Sequence, residues 1–179
     1  MHGERMTGSD PTTTRADSAA LPSLAELYQS HARVVHGIAL AHVGTVDAED
    51  VMQEVFILAQ RGLTSLRDAA AVPGWICQIA RNCARDWLRR RARRPRPVAE
   101  VEEIAAPSPR DDGELARRVL SLVRSLPEAY RETLVLRLVE GLSGPEIAER
   151  TGLTHGSLRV NLCRGMAMLR PLLEKEGWP

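Results

Sequence analysis

The chain has 179 residues, and its 24 lysine and arginine residues nearly balance 23 aspartate and glutamate residues, for a formal net charge of +1. This length allows one ordinary domain or two small ones, and no apolar run approaches the ~20 residues needed to span a bilayer, so we expect no direct membrane insertion. Because the basic residues cluster in a few places, local charge is a better guide to function than the total.

Residues 1–20 contain mostly polar and small residues, with hardly any large apolar side chain. Such a segment cannot bury enough surface to offset its ordering entropy, so we predict a disordered N-terminal tail. The next stretch has apolar residues at helical spacing, which predicts a long helix with one apolar stripe. The stripe consists of Leu24, Leu27, Tyr28, Val34, Val35 and Ile38.

A second helix is predicted to follow Asp47, whose side chain can cap its N-terminus. The predicted inner face consists of Val51, Val55, Leu58 and Ala59. A different face carries Asp50, Gln53, Glu54 and Ile57. One face can therefore pack while the other stays available for a partner.

A third helix is predicted to begin near Trp75. Its core side holds Ile76, Ile79, Ala80, Cys83 and Trp87. Arg81, Arg85 and Arg89 follow one another at i+4 steps and fall almost opposite that side. The run RRRARRPRP then extends the positive charge, and its prolines end the helix. An arginine stripe of this kind can neutralise phosphates and fix a protein's register on DNA without selecting a sequence.

Residues 95–113 show no sustained period and predict a flexible linker that proline partly stiffens. Helical spacing then returns, with a break at Pro127. The apolar positions are Leu115, Val119, Leu122, Val123 and Leu126, then Leu134, Val135, Leu138 and Val139. No β-type alternation is found, so we predict an all-α fold with two small helical domains, residues 21–94 and 114–177, joined by the linker.

The C-terminal domain carries the spacing of a helix-turn-helix. Ser143 can cap a short helix, Gly152 permits the tight turn, and Thr154 can cap the next helix. That helix has an apolar stripe of Leu158, Leu162, Met166, Leu169 and Leu173. In a helix-turn-helix the second helix enters the major groove with its N-terminal residues against base edges. A plain helical hairpin can share the same glycine and stripe, so this pattern alone leaves both interpretations open.

The sequence offers no catalytic or metal-binding pattern. The three cysteines are Cys77, Cys83 and Cys163. They form neither a CxxC pair nor a set of four, and an odd number without a signal peptide favours free thiols in a reducing cytoplasm. His31, His36 and His42 lack the i, i+4 spacing of helical metal ligands. We expect no metal, no cofactor and no catalytic residue.

Four strings in order resemble one known family. They read LAELYQSHARVVHGIAL, DAEDVMQEVFILAQR, GWICQIARNCARDWLRRRARR and, after the linker, LPEAYRETLVLRLVEGLSGPEIAERTGLTHGSLRVNLCRG. Together they are similar to bacterial extracytoplasmic-function (ECF) sigma factors, from Leu24 to about Lys175. The resemblance implies an initiation factor that directs RNA polymerase core to specific promoters and aids promoter opening. It also implies contacts with the β′ clamp helices and β flap of the polymerase, with promoter DNA, and with an anti-sigma factor.

The resemblance assigns residues to three surfaces. The polymerase core-binding set is Asp47, Asp50, Gln53, Glu54 and Ile57. The −10 DNA-binding set is Arg67, Asp68, Arg81, Asn82, Arg85, Arg89 and Arg90. The −35 DNA-binding set is Thr154, His155, Ser157, Arg159, Val160, Asn161 and Arg164.

The chain departs from the family pattern at two places. The loop around Leu66, Arg67 and Asp68 has no aromatic residue to stack on an extruded base. Val160 and Asn161 replace a Ser-Arg pair common in the family, and they suggest a thymine methyl contact and an adenine contact.

Two other functions would require different features. A conventional two-domain regulator would bind DNA alone as a dimer on a palindromic site. An enzyme would need a nucleophile and base, a phosphate loop or a metal cluster, and none is recognisable in the sequence.

Overall fold

The structure is a computed structural model that describes residues 20–93 and 112–178. The predicted tail and nearly all of the predicted linker lie outside these ranges. The described helices are α1 (Leu24–Val43), α2 (Ala48–Gly62), α3 (Val72–Arg93), α4 (Asp112–Arg124), α5 (Glu128–Leu138), α6 (Gly144–Thr151) and α7 (His155–Lys175). Two short 3₁₀ turns, Leu63–Ser65 and Ala69–Ala71, connect α2 to α3, and the described residues contain no strand. The all-α prediction is confirmed.

The N-terminal helices α1, α2 and α3 pack around one apolar core. Their fully buried side chains include Leu27, Val34, Val35, Ile38, Val51, Val55 and Ile76. The inner face predicted for α2 is wrong at Leu58, which is 40% exposed, whereas Phe56 is buried and contacts the ring of Tyr28 at 4.8 Å between centroids. The buried arc of α2 is centred between Val55 and Ala59, which leaves Leu58 at one rim and brings Phe56 in at the other.

The C-terminal helices α4 to α7 share a second apolar cluster continuous with the first. It includes Leu120, Val123, Leu126, Leu134, Val135, Leu136, Leu142, Ile147, Leu158 and Leu169. The predicted stripe of α7 is wrong at Met166, which is 38% exposed. Gly165 faces α5 instead, where an added Cβ would lie 3.0 Å from Leu134 Cδ1 and 3.3 Å from Tyr130 Cβ. The glycine lets α5 and α7 approach closely.

Three further apolar positions predicted for the core of this domain lie at the surface. Leu115, Leu138 and Val139 are each about half exposed. Leu115 is in the first turn of α4, whereas Leu138 and Val139 are at the end of α5. Helix ends project past the neighbouring helices, so apolar residues there stay partly in water.

Helix caps were predicted correctly in the C-terminal domain and wrongly in one place in the N-terminal domain. Ser143 forms a capping box with Glu146, Thr154 accepts from the backbone N–H of Ser157, and Gly152 has a left-handed φ of 72°. Asp47 makes no side-chain cap bond to α2. Its Oδ2 instead accepts from Arg91 Nη1 at 2.6 Å, because an ion pair with α3 is within reach.

The two groups of helices contact each other along α5, which packs on α1, and along α6, which packs on α1 and α3. The two groups approach closely at Gly37 of α1, where an added Cβ would lie 2.7 Å from Leu136 Cδ2. At the far end, the turn at Gly152 meets the backbone of Gly74. No helix in the described ranges is long and apolar enough to cross a bilayer.

Candidate polymerase and nucleic-acid interfaces

The residues predicted for polymerase binding lie on one side of α2. Asp50, Gln53 and Ile57 are exposed, and Ile57 leaves half of its side chain in water. Glu54 is partly buried because its Oε2 accepts from Arg90 Nη2 at 2.6 Å. The face therefore combines polar groups with an apolar centre, and its inner edge, at Glu54 and Asp47, is tied to α3.

The predicted arginine stripe of α3 is divided in two. In its N-terminal half, both arginines are paired with carboxylates. Arg81 Nε donates to both carboxylate oxygens of Glu132, at 3.1 and 2.9 Å, and Arg85 donates to Glu128. Both glutamates belong to α5. The C-terminal half of the stripe is more exposed, and there Arg89 forms an ion pair with Asp86 at 3.5 Å and Arg90 forms one with Glu54. The structure therefore gives two of the predicted −10 arginines protein partners in the other domain.

Glu132 is the centre of this contact and is 5% exposed. Burial by itself would raise the pKa of its carboxyl, but hydrogen bonds from His42 Nε2, at 2.9 Å, and from Arg81 outweigh burial and hold the pKa below its usual value. Arg131 Nη2 lies 3.3 Å from His42 Nδ1. A guanidinium can only donate, so Nδ1 accepts and the ring proton sits on Nε2, where it points at Glu132. Glu132 is thus held as a carboxylate.

The same contact brings together three possible metal ligands. Donor atoms of His42, Glu128 and Glu132 lie within 4.8 Å of one another. However, Arg81 and Arg85 already occupy the two carboxylates, and His42 donates to one of them. The arrangement neutralises the carboxylates with guanidinium groups, which repel a cation.

The loop predicted to meet an extruded base is exposed. Arg67 and Asp68 both face solvent, and Asp68 Oδ1 accepts from the backbone N–H of Ala70 at 2.8 Å, which orders the second 3₁₀ turn. Trp75 and Trp87 are half-buried and pack against the core. Asn82, also in the predicted −10 set, is exposed and accepts from Gln78 at 3.0 Å.

The predicted −35 residues form the exposed N-terminal part of α7. Thr154 Oγ1 caps the helix and donates to Ser157 Oγ at 2.9 Å. Val160 is 45% exposed, whereas Asn161 is half-buried. His155, Arg159 and Arg164 are exposed as well. The helix therefore presents a surface of small, polar and basic side chains with one apolar residue near its centre.

The sequence interpretation missed the carboxylates of α5. Glu128 and Glu132 are four residues apart, and so are Arg81 and Arg85. This shared spacing places each pair on one face of its helix and was a recognisable signal. The spacing alone did not identify Arg81 and Arg85 as the partners of these glutamates, because many other acidic residues share a helical face with a neighbour.

Comparisons with known proteins identify the family of the chain. The chain matches the family Sigma-70 region 2 over residues 27–94 and the family Sigma-70, region 4 over residues 116–169. The ECF RNA polymerase sigma factor SigE of Mycolicibacterium smegmatis is 34% identical, over 98% of this chain and 76% of the relative. The ECF RNA polymerase sigma-E factor of Escherichia coli strain K12 is 32% identical, over 84% of each chain.

Two solved structures share the fold. One is CnrH in complex with the cytosolic domain of CnrY, with a TM-score of 0.56, 24% identity, and 85% of this chain and 88% of that chain covered. The other is the sigma factor RpoE in complex with the anti-sigma factor NepR from Bartonella quintana, with a TM-score of 0.50, 20% identity, and 82% and 95% of the two chains covered.

Proposed function

This chain belongs to the ECF family of RNA polymerase sigma factors, which gives the core enzyme its promoter specificity, and we propose that three of its surfaces divide that task. In this proposal α2 binds the polymerase, α3 with the preceding loop meets the −10 element, and α7 reads the −35 element. The order of the two sigma-70 regions along one chain is the observation that carries the proposal.

The polymerase surface comprises Asp47, Asp50, Gln53, Glu54 and Ile57. Its mixture of exposed polar groups around a half-exposed isoleucine is typical of protein interfaces, in which an apolar centre is surrounded by polar contacts. We propose the β′ clamp helices as its partner and the β flap as a partner of the C-terminal domain.

The −10 surface comprises Arg67, Asp68, Arg81, Asn82, Arg85, Arg89 and Arg90. Arginines along one side of α3 can bind consecutive phosphates of a single strand. Because the loop at Arg67 and Asp68 carries no aromatic side chain, we propose that hydrogen bonds rather than stacking hold any extruded base.

The −35 surface comprises Thr154, His155, Ser157, Arg159, Val160, Asn161 and Arg164. The left-handed turn at Gly152 and the cap at Thr154 support a helix-turn-helix whose second helix points its N-terminal end outward. Exposure of Val160 supports a contact with a thymine methyl group.

An anti-sigma factor is proposed as the regulator. The two solved structures with this fold are described as complexes, one of CnrH with the cytosolic domain of CnrY and one of RpoE with the anti-sigma factor NepR. We further propose that the protein acts in the cytoplasm and is a binding factor rather than an enzyme. A pull-down from unstressed cells that recovered polymerase subunits but no further partner would contradict the anti-sigma proposal.

Run-off transcription tests the proposed function. Transcription starts that appear after overexpression supply candidate promoters, and purified core enzyme is then assayed with and without the protein. We expect transcripts only when both are present, and weak promoter binding by the protein alone. Failure to obtain a dependent transcript from any such promoter would contradict the proposal, and tight binding by an isolated dimer would favour a conventional regulator.

A further inference from the structure

We propose that the contact of α5 with α3 is an autoinhibitory lock, in which Glu128 and Glu132 occupy Arg85 and Arg81 and single-stranded DNA must displace α5 to reach them. This inference rests on the proposed function, since it assumes that these two arginines bind DNA phosphates. The lock is part of the chain itself and requires no second protein.

The chemistry of the contact imitates a nucleic-acid backbone. Carboxylate and phosphate groups both accept paired hydrogen bonds from a guanidinium, so one arginine cannot serve both at once. Arg81 Nε and Nη2 both contact Glu132, at 2.9 to 3.1 Å, and the next arginine on the same face, Arg85, contacts the next glutamate, Glu128. Two acceptors four residues apart on α5 therefore meet two donors four residues apart on α3.

Shape extends the contact beyond these ion pairs. The absence of a side chain at Gly37 allows Leu136 of α5 to pack against α1. His36 Nδ1 lies 2.8 Å from Glu140 Oε1, just beyond the end of α5. On the other side of the interface, Cys77 Sγ of α3 donates to the backbone carbonyl of Arg150 in α6 at 3.5 Å. The domain contact that pairs Arg81 and Arg85 with glutamates thus also buries Cys77.

The lock covers one DNA-binding surface and leaves the other open. Arg81 is partly buried by Glu132, whereas Ser157, Arg159 and Val160 of α7 are all exposed. Closure therefore occupies two of the arginines proposed for −10 binding, Arg81 and Arg85, without covering the helix proposed to read the −35 element.

The contact is suited to opening. Desolvating two charges offsets much of their mutual attraction, so a buried ion pair adds little net stability although removing one partner is costly. DNA phosphates can replace the carboxylates on the guanidinium groups, while the released glutamates regain water. The exchange conserves the pairing of Arg81 and Arg85.

Cys77 provides a reporter of opening in the full-length chain. It is buried, with its thiol pKa raised to about 12 by burial, and it faces α6. Cys83 is also buried but belongs to the N-terminal core, and Cys163 is exposed. Alkylation by N-ethylmaleimide, quantified by peptide mass spectrometry, should be fast at Cys163 and slow at the other two in the wild-type protein.

The test compares two double variants with the same change of net charge. Glu128→Gln with Glu132→Gln should accelerate alkylation of Cys77 but not of Cys83. It should also raise affinity for a short fluorescein-labelled single strand of mixed sequence, by roughly tenfold if the closed state dominates by that factor. The control, Glu149→Gln with Glu174→Gln, alters exposed carboxylates outside the contact and should change neither quantity. Equal gains in affinity for both double variants would overturn the lock.

A variant that leaves the net charge unchanged separates the effect of domain opening on DNA affinity from the effect of charge. Gly37→Leu places a side chain against Leu136 and should expose Cys77 while adding a good helix former to α1. It should raise affinity for the same strand, and full protection of Cys77 in a folded Gly37→Leu protein would contradict the inference. Loss of protection at both Cys77 and Cys83 identifies an unfolded variant, and the glutamine pair then decides the test.

Failure of the lock and failure of the proposed −10 role give different results. If Arg81→Ala with Arg85→Ala leaves run-off transcription with core enzyme intact, the −10 assignment fails, whatever Cys77 reports. If that variant loses transcription while Cys83 stays protected, which shows that it is folded, and the glutamine pair neither exposes Cys77 nor gains affinity, the assignment stands and the lock fails. Because binding and opening are linked, adding the strand to wild-type protein should also accelerate alkylation of Cys77.

Discussion

The two proposed DNA-binding helices differ in what their arginines contact. On α3, Arg81 and Arg85 are paired with carboxylates of the other domain, and Arg90 is paired with Glu54 of α2. On α7, Arg159 and Arg164 make no ion pair with any residue in ranges 20–93 and 112–178. The comparison shows that arginine at helical spacing identifies a basic face, while the tertiary structure decides whether that face is available.

The difference also separates the steps of promoter binding. A surface with free guanidinium groups can bind DNA phosphates directly, whereas a surface with paired groups must first exchange partners. We therefore expect the isolated protein to contact DNA mainly through α7. The −10 contacts should form after the domains separate.

The largest expected effect comes from removing the paired arginines. Arg81→Ala with Arg85→Ala should lower run-off transcription by about a hundredfold, because two charged hydrogen bonds to phosphate contribute about 3 kcal/mol together. The control Lys175→Ala removes a charge outside the three proposed surfaces and should leave transcription near the wild-type level. Activity of the arginine variant within a factor of about two would show that α3 does not bind the promoter in this way.

A smaller effect is expected at the proposed polymerase-binding face of α2. Gln53→Ala with Glu54→Ala should weaken core binding about tenfold, equivalent to about 1.4 kcal/mol, while −35 duplex binding stays intact. The measurement is a titration of labelled core enzyme. Glu49→Ala, an exposed carboxylate on the same helix, is the matched control. Parallel loss of core and duplex binding would indicate misfolding rather than a lost contact.

On α7, whose arginines are unpaired within the described ranges, the contribution of a single methyl contact to base preference should be measurable. Val160→Ser should relax the preference at one −35 position by about 1 kcal/mol, because the serine cannot pack on a thymine methyl group. Selection of bound duplexes from a randomised −35 element measures this preference. Val160→Thr keeps one methyl and should give an intermediate result, whereas an unchanged preference in the serine variant would refute the proposed contact.

The smallest effect concerns pH and the domain contact. The hydrogen bond with Glu140 raises the pKa of His36, against a smaller lowering by burial. Its stabilisation is therefore complete below the ordinary pKa of about 6.5 and is lost as pH rises through the higher value in the closed protein. Thermal unfolding should show wild type losing stability relative to His36→Gln over that window.

His31 and His155 define the controls for this measurement. Burial lowers the pKa of His31, so His31 contributes stability that disappears as pH falls, which is the opposite sign. Taking the difference between wild type and His36→Gln cancels that contribution. His155→Gln, at an exposed position on α7 outside the domain contact, is the matched histidine-to-glutamine control. A constant difference between wild type and His36→Gln would contradict the role of the Glu140 contact.

The sequence predicted the features that depend on near neighbours along the chain. The caps at Ser143 and Thr154 and the left-handed turn at Gly152 follow from interactions within three residues. The apolar stripe of α1 was also predicted correctly at its central positions, Val34 and Ile38, since burial on one face follows the helical period.

Features that depend on the other helices could not be predicted in the same way. Asp47 has the residue type of a cap, but Arg91 lies close enough in the fold to bind it. Arg81 lies opposite the core of its own domain, yet α5 of the other domain covers it. Periodicity gives the direction of a side chain around its helix and contains no information about what approaches from outside.

The tight packing at Gly165 has a mechanical consequence for promoter binding. Because α7 lies almost directly on Tyr130 and Leu134 of α5, these two helices should move as one rigid body. The same body carries Glu128 and Glu132 at one surface and the −35 helix at another. Any rotation that withdraws the glutamates from α3 therefore also rotates α7 through the same angle. Exposure of Arg81 and Arg85 and reorientation of the −35 helix are then a single movement.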